Sequence, residues 1–168
     1  FSLNSDGSRA DLIMIKGGGY RHPSSEETLR EKVVDEYGNI RSDEQGYMQG
    51  GDVFNFVIRE IPRDIKKTLE YAGDTADSFD YIVFHQANNF INAYIAKKMK
   101  LDTDKIPSTI AKYGNTSSVS VPLTIVSELK DRLYGNKKLL LSAFGVGMTW
   151  ATGIVPFVDC KISDIVEV

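Results

Sequence analysis

Two apolar runs close this sequence, residues 138–144 and 148–158, and only Gly145-Val146-Gly147 joins them. Parallel neighbours need a crossover of roughly a dozen residues or more, so a link this short permits only an antiparallel hairpin. The hairpin ends a chain in which apolar strands alternate with amphipathic helices. That alternation predicts an α/β protein with a mixed, mainly parallel sheet.

The helices follow from periodicity. Phe54, Val57, Ile58, Ile61, Ile65 and Leu69 recur at three- and four-residue steps and are predicted to share one helix face. Asp52 is the expected cap, Pro62 a kink or a lost hydrogen bond, and Gly73 the stop. The run Tyr81-Ile82-Val83-Phe84 reads as a strand that ends at His85. A second helix is expected over about 88–100, with Ile91, Tyr94, Ile95 and Met99 inward. Lys97, Lys98 and Lys100 fall in its last turn, where cations suit the helix dipole. A short strand near 107–111 is predicted to lead into Gly114-Asn115-Thr116-Ser117-Ser118. A third helix would then turn Val119, Leu123, Val126, Leu129 and Leu133 inward.

Residues 1–51 lack such patterns. Leu12 and Met14 alternate into the flexible Gly17-Gly18-Gly19 turn, and the polar stretch 20–51 reads as a long surface loop with a short helix near 26–35. The expected organisation is a junction strand and surface loop region over 1–51, a domain over 52–158 and a short extension over 159–168. The chain opens on Phe1 inside a strand-to-turn pattern, FSLNSDGS, so a preceding segment is expected.

Several classes are disfavoured. A net charge of −3 argues against a general affinity for nucleic acid. No apolar run approaches the roughly 18–20 residues that span a membrane. Cys160 is the lone cysteine, so no internal disulfide can form, and this usage suits the cytoplasm. Cys160 follows the last strand, precedes no helix and adjoins Asp159, a poor setting for a nucleophilic thiol. Two histidines, His22 and His85, without a CxxC pair make no zinc pattern. No dinucleotide or P-loop fingerprint is present.

In open α/β sheets, reactive groups gather at the carboxyl ends of strands. Three features are predicted there: His85, Asn115 and the turn at 145–147. Taken alone, His85 reads either as a satisfied structural residue or as a catalytic one, and the Asn115 turn either as a capped helix start or as part of a site.

The surrounding residues carry a resemblance. YIVFHQANNFINAYIAKKMKL, YGNTSSVSVPLTI and AFGVGMTWATGIVPF resemble the histidine, asparagine and closing hairpin segments of the ketoacyl-synthase III family. MQGGDVFNF and SLNSDGS resemble the opening of the C-terminal half and the junction before it. The resemblance covers most of residues 1–158. It implies one half of a thiolase-like fold, with helices on both sheet faces, in an acyltransferase of fatty-acid or related lipid and polyketide synthesis. The implied reaction is a decarboxylative Claisen condensation. An acyl group from coenzyme A is loaded onto a cysteine of the N-terminal half, and malonyl-acyl-carrier protein supplies the carbanion.

By position, the resemblance makes His85 and Asn115 catalytic. The backbone N–H of Val146 would serve an oxyanion, Asn88 would support the site, and Phe54 would border the tunnel. Lys97 and Lys98 would help dock acyl carrier protein. It implies no metal or cofactor beyond the thioester substrates, and a homodimer. Phe90, Gly51 and Val146 depart from the family's usual arginine, asparagine and glycine. Two other readings remain: a non-catalytic thiolase-fold subunit that binds acyl chains or carrier protein, and an unrelated α/β domain. Binding alone would need neither His85 nor Asn115.

Overall fold

The computed structural model describes residues 1–166. Its strands are β1 (Ser2–Ser5), β2 (Ile13–Met14), β3 (Lys32–Val33), β4 (Ile40–Arg41), β5 (Tyr47–Met48), β6 (Tyr81–Phe84), β7 (Asn136–Gly145) and β8 (Thr149–Val158). Its α-helices are α1 (Glu26–Leu29), α2 (Gly50–Ala72), α3 (Asn89–Met99), α4 (Ile110–Tyr113) and α5 (Ser120–Leu129). Contacts divide the chain into two units. One comprises Phe1–Asn4, Phe54–Gly145 and the residues from Thr149 on; the other comprises Ser5–Val53 and Val146–Met148.

The first unit is built on a sheet of order β1-β8-β7-β6. β6 and β7 are parallel. β7 and β8 form the expected antiparallel hairpin, in register from Asn136 opposite Val158 to Gly145 opposite Thr149. Asp80 aligns β6 with β7: its carboxylate accepts from the Lys138 N–H at 2.8 Å, and its own N–H donates to the Lys138 carbonyl at 2.9 Å.

Strand alternation gives the sheet two apolar faces. On one, Val83 and Leu139 pack with Ile125 and Leu129 of α5 and with Leu133. On the other, α2 packs Phe56 edge-on to Trp150 at 5.1 Å and reaches Thr152 through Asp64 at 2.6 Å. Leu129 and Leu139 are fully buried, and burial of each such side chain contributes about 1.5–3 kcal/mol.

Asp64 is a buried polar centre on the α2 side. It accepts from Ser2 Oγ at 2.6 Å, Asn4 Nδ2 at 2.8 Å and Thr152 Oγ1 at 2.6 Å, so burial leaves its carboxylate well supplied with donors.

Several expectations need correction. Helix α2 starts at Gly50, and the Gln49 carbonyl accepts its first bond, from Val53, at 2.9 Å. Asp52 therefore lies inside the first turn rather than capping it. The helix continues through Pro62, where the second of the two expected effects holds: proline has no N–H to give the Ile58 carbonyl. It ends as expected at Gly73 (φ 68), whose N–H reaches Glu70 while that of Asp74 reaches Leu69, a Schellman closure. Phe54 and Ile58 are only half-buried, because they lie on the edge of α2 that meets α3. On α3 the buried line is Ile91, Asn92, Ile95 and Ala96, and Tyr94 is 38% exposed beside Phe54.

No strand forms over 107–111. The Thr109 N–H is taken by the Gln86 side chain at 3.0 Å, and its carbonyl accepts from Lys112 and Tyr113 as α4 begins. A ladder partner is thus replaced by side-chain and helical bonds. On α5 the buried line is Ser120, Thr124, Ile125 and Leu129; Val119 is exposed, and Leu123 and Val126 are half-buried. Hydroxyl partners explain this rotation: Thr124 Oγ1 meets Thr109 Oγ1 at 2.9 Å and the Ser120 carbonyl at 2.8 Å, so polar side chains can occupy the inner line.

The second unit holds two small antiparallel pairs, β2 with β5 and β3 with β4. The helix expected near 26–35 is confined to α1, whose Ser25–Thr28 capping box starts it before Arg30 turns extended. Asp35 then makes the β3–β4 turn, accepting from the N–H groups of Tyr37 and Asn39 at 3.0 and 3.2 Å. Local carboxylate and hydroxyl bonds, rather than apolar anchors, organise this polar stretch.

Candidate active site

His85 is the residue after β6, and its backbone is held on both sides. Its N–H continues the parallel ladder to the Ser142 carbonyl at 2.9 Å, and its carbonyl accepts from Asn92 Nδ2 at 3.2 Å. The ring stands edge-on to Phe144 with centroids 5.1 Å apart. Its Nδ1 meets Ser120 Oγ at 2.6 Å. The ring is half-buried, and burial pushes its pKa below the ordinary 6.5, so the imidazole is neutral at pH 7.

Gln86 secures the same segment. It is fully buried; its Nε2 donates to the Phe84 carbonyl at 2.8 Å, and its Oε1 accepts from the Thr109 N–H and the Ser108 hydroxyl at 3.0 and 3.1 Å. Its N–H points to Ser120 Oγ at 3.3 Å.

Asn115 arrives differently from the expectation. It follows α4, not a strand. Gly114 ends α4 at φ 67, ψ −154, a region that is close to glycine-only. Ser117 takes a left-handed conformation (φ 56), and its N–H donates to Asn115 Oδ1 at 2.9 Å. Only the oxygen of a carboxamide can accept that bond, so the Nδ2 end is left as the donor. Asn115 is exposed.

The two side chains therefore share a design. Each has one heteroatom fixed by a serine at the approach to α5: Ser120 for His85 and Ser117 for Asn115. What remains on each is a nitrogen, Nε2 on the ring and Nδ2 on the amide. The amide Nδ2–H, together with Nε2–H in the tautomer that leaves Nδ1 bare, would make a pair of neutral donors suited to an oxygen that gains negative charge.

The other named residues are placed as follows. Asn88 caps α3, its Oδ1 accepting from the Ile91 N–H at 2.8 Å. Phe54 stacks on Phe90 with centroids 5.5 Å apart and meets Tyr94 edge-on at 5.9 Å. Lys97 is exposed. The Lys98 ammonium donates to the Ile58 carbonyl at 2.7 Å. Val146 is in the exposed turn between β7 and β8, within the second unit. Cys160 and His22 are exposed. Among the described residues, no group of three His, Cys, Asp or Glu side chains could hold a metal ion, and no helix is long and apolar enough to cross a membrane.

Ser120, Gln86 and Asn92 were not legible as site residues. Asn92 sits seven positions after His85, on the inner side of a predicted helix, where a polar residue is a usable signal. Ser120 lies thirty-five positions away, and only folding brings it to the ring.

Comparison with known proteins is consistent with these segments. Residues 69–157 match the family model of the 3-oxoacyl-[acyl-carrier-protein (ACP)] synthase III C terminal. A beta-ketoacyl-[acyl-carrier-protein] synthase III of Streptococcus pneumoniae (strain Hungary19A-6) is 34% identical over 158 residues, 92% of this chain and 45% of the relative. The crystal structure of a 3-oxoacyl-(acyl-carrier protein) synthase from Burkholderia xenovorans LB400 superposes with a TM-score of 0.83 at 36% identity, over 96% of this chain and 45% of that one. A 2.1 Å crystal structure of a 3-oxoacyl-(acyl-carrier-protein) synthase III gives 0.85 at 36% identity, over 92% and 46%. The chain thus spans about half the length of the relatives it matches, and its mixed sheet with helices on both faces is half of a thiolase-like fold.

Proposed function

The chain belongs to the 3-oxoacyl-[acyl-carrier-protein] synthase III family, and from that premise we propose that it supplies the enolate-stabilising side of a decarboxylating condensing enzyme. The observation that carries this reading is the matched pair of donors, His85 and Asn115, each fixed by a serine through its other heteroatom.

The chemistry follows from that pair. Loss of carbon dioxide from a malonyl thioester leaves the electron pair of the broken C–C bond as an enolate, with its charge on the thioester oxygen. His85 Nε2–H and Asn115 Nδ2–H are donors of the right kind for that oxygen, and removing one such donor typically costs about 10²–10³ in rate. The enolate carbon then attacks the acyl-cysteine carbonyl, the C–S bond breaks, and the thiolate leaves to be reprotonated. The cysteine belongs to an N-terminal half. The Val146 N–H serves the acyl-cysteine oxyanion in this reading.

The substrates are an acyl-coenzyme A and malonyl-acyl-carrier protein, in fatty-acid or related lipid and polyketide synthesis. No metal or further cofactor takes part. Phe54 borders the tunnel, Asn88 supports the histidine segment by starting α3, and Lys97 with Lys98 helps dock the carrier protein. Residues 52–158 form the C-terminal thiolase-like domain, and the working assembly is a cytoplasmic homodimer of complete subunits.

The test is His85→Ala in the complete enzyme, with acyl loading and malonyl decarboxylation measured separately. Decarboxylation is expected to fall about 10²–10³-fold while loading changes far less. Equal loss of both steps would sink the assigned role.

A further inference from the structure

We infer that Ser120 is a positioning residue that holds His85 in the Nε2–H tautomer by donating its hydroxyl proton to Nδ1. This rests on the condensing-enzyme reading above and extends it to the residue that sets the ring's polarity.

The hydrogen bonds of one oxygen decide where the ring proton sits. Ser120 is 1% exposed, so its hydroxyl must be satisfied inside the protein. Among the described residues, Ser120 Oγ has two partners: the Gln86 N–H at 3.3 Å and His85 Nδ1 at 2.6 Å. The first is a donor under all conditions, so it occupies a lone pair of the oxygen. The second is a donor or an acceptor according to the tautomer. If Nδ1 carried the proton, Oγ would accept twice and its own buried proton would have no acceptor. If Nδ1 is bare, the hydroxyl donates to it and all three groups are satisfied. The short 2.6 Å separation suits a hydroxyl donor.

The same geometry explains why Nε2 must carry the proton that faces the substrate. With Nδ1 accepting, a neutral ring has its single N–H on the opposite nitrogen. Asn115 reaches an equivalent state by a backbone route: the Ser117 N–H occupies Oδ1 and leaves Nδ2–H. Two serines three positions apart thus dictate donor character at both side chains. The Gln86 N–H is part of the device: being a donor itself it cannot take the hydroxyl proton, which leaves His85 Nδ1 as the acceptor among the partners of Ser120 Oγ. Gln86 is itself locked by the Phe84 carbonyl and the Thr109 N–H.

The experiment uses ¹⁵N-histidine labelling and long-range ¹H–¹⁵N correlation of the complete enzyme, with His22→Gln to assign the second ring, alongside kinetics of malonyl-thioester decarboxylation. Wild type is expected to show a bare, hydrogen-bonded Nδ1 and a protonated Nε2. Ser120→Ala should shift the Nδ1 resonance and lower kcat for decarboxylation by on the order of tenfold with little change in KM, as when a histidine loses an outer hydrogen-bond partner. Ser120→Thr, which keeps the hydroxyl, should restore both. A protonated Nδ1 in wild type overturns the proposal, as does a Ser120→Ala enzyme with an unaltered ring spectrum and kcat. The ring spectrum needs no turnover. A wild-type enzyme with the expected tautomer but no decarboxylation therefore overturns the condensing function while upholding Ser120's hold on the ring.

Discussion

Lys98 supplies the hydrogen bond that Pro62 removes. In α2 the N–H at position 62 would bond to the Ile58 carbonyl, but proline has none. The Lys98 ammonium reaches that carbonyl from α3 at 2.7 Å, and it also lies over the Tyr94 ring, 5.9 Å from the centroid. The helix stays continuous, and α3 is fastened to α2 at the level of the Phe54–Tyr94 contact. A double-mutant cycle checks this. Lys98→Met should destabilise the wild type by about 0.5 kcal/mol more than it destabilises Pro62→Ala, whose alanine N–H can take the Ile58 carbonyl. Additive urea midpoints would count against the coupling.

The two lysines proposed to dock carrier protein are expected to separate for the same reason. Both are exposed, but of the two only Lys98 has a described side-chain hydrogen bond, to the Ile58 carbonyl. Lys97→Glu should weaken binding of an acidic carrier protein in a salt-dependent way with thermal stability unchanged. Lys98→Glu should lower both. Surface plasmon resonance at two salt concentrations and thermal melts distinguish the cases.

The His85 environment has a consequence for pH. Burial lowers its folded pKa below 6.5, the value expected once the chain unfolds. Above that value both states hold a neutral ring and nothing changes. Below it the unfolded state binds the proton first, so stability falls with pH until the folded pKa is passed. His85→Gln removes this contribution. The difference in unfolding free energy between wild type and His85→Gln should therefore decline from about pH 7.5 to about pH 5.5, as read by urea titration. A constant difference would contradict the buried neutral ring.

Cys160 is exposed and follows β8. Cys160→Ser is expected to leave acyl loading of the complete enzyme intact, as followed by mass spectrometry of the acyl-enzyme. Loss of loading would move the nucleophile into this chain.

Asp64→Ala would strip an acceptor from Ser2, Asn4 and Thr152 at once. Destabilisation by about 1–3 kcal/mol is expected, from buried donors left unmade. Leu129→Ala, on the opposite face of the sheet, should cost about 2–5 kcal/mol by opening a cavity among Val83, Ile125 and Leu139. Denaturant unfolding measures both.

Sequence alone determined the elements whose causes are local. The β7–β8 hairpin follows from a three-residue link, the Gly73 stop from a residue that tolerates positive φ, and the strand that ends just before His85 from an apolar run. It also supplied His85 and Asn115, through the segments around them. Only tertiary structure decided what those side chains offer. Whether His85 presents a donor depends on a hydroxyl thirty-five positions away, and whether Lys98 is free depends on a carbonyl forty positions away. The same holds for 107–111, where the Gln86 amide diverts a strand-like stretch into helix, and for α5, where hydroxyl pairing turns Thr124 inward. Apolar periodicity reports how a segment separates oil from water. Which polar group meets which is set by distances between segments, and those exist only in the folded chain.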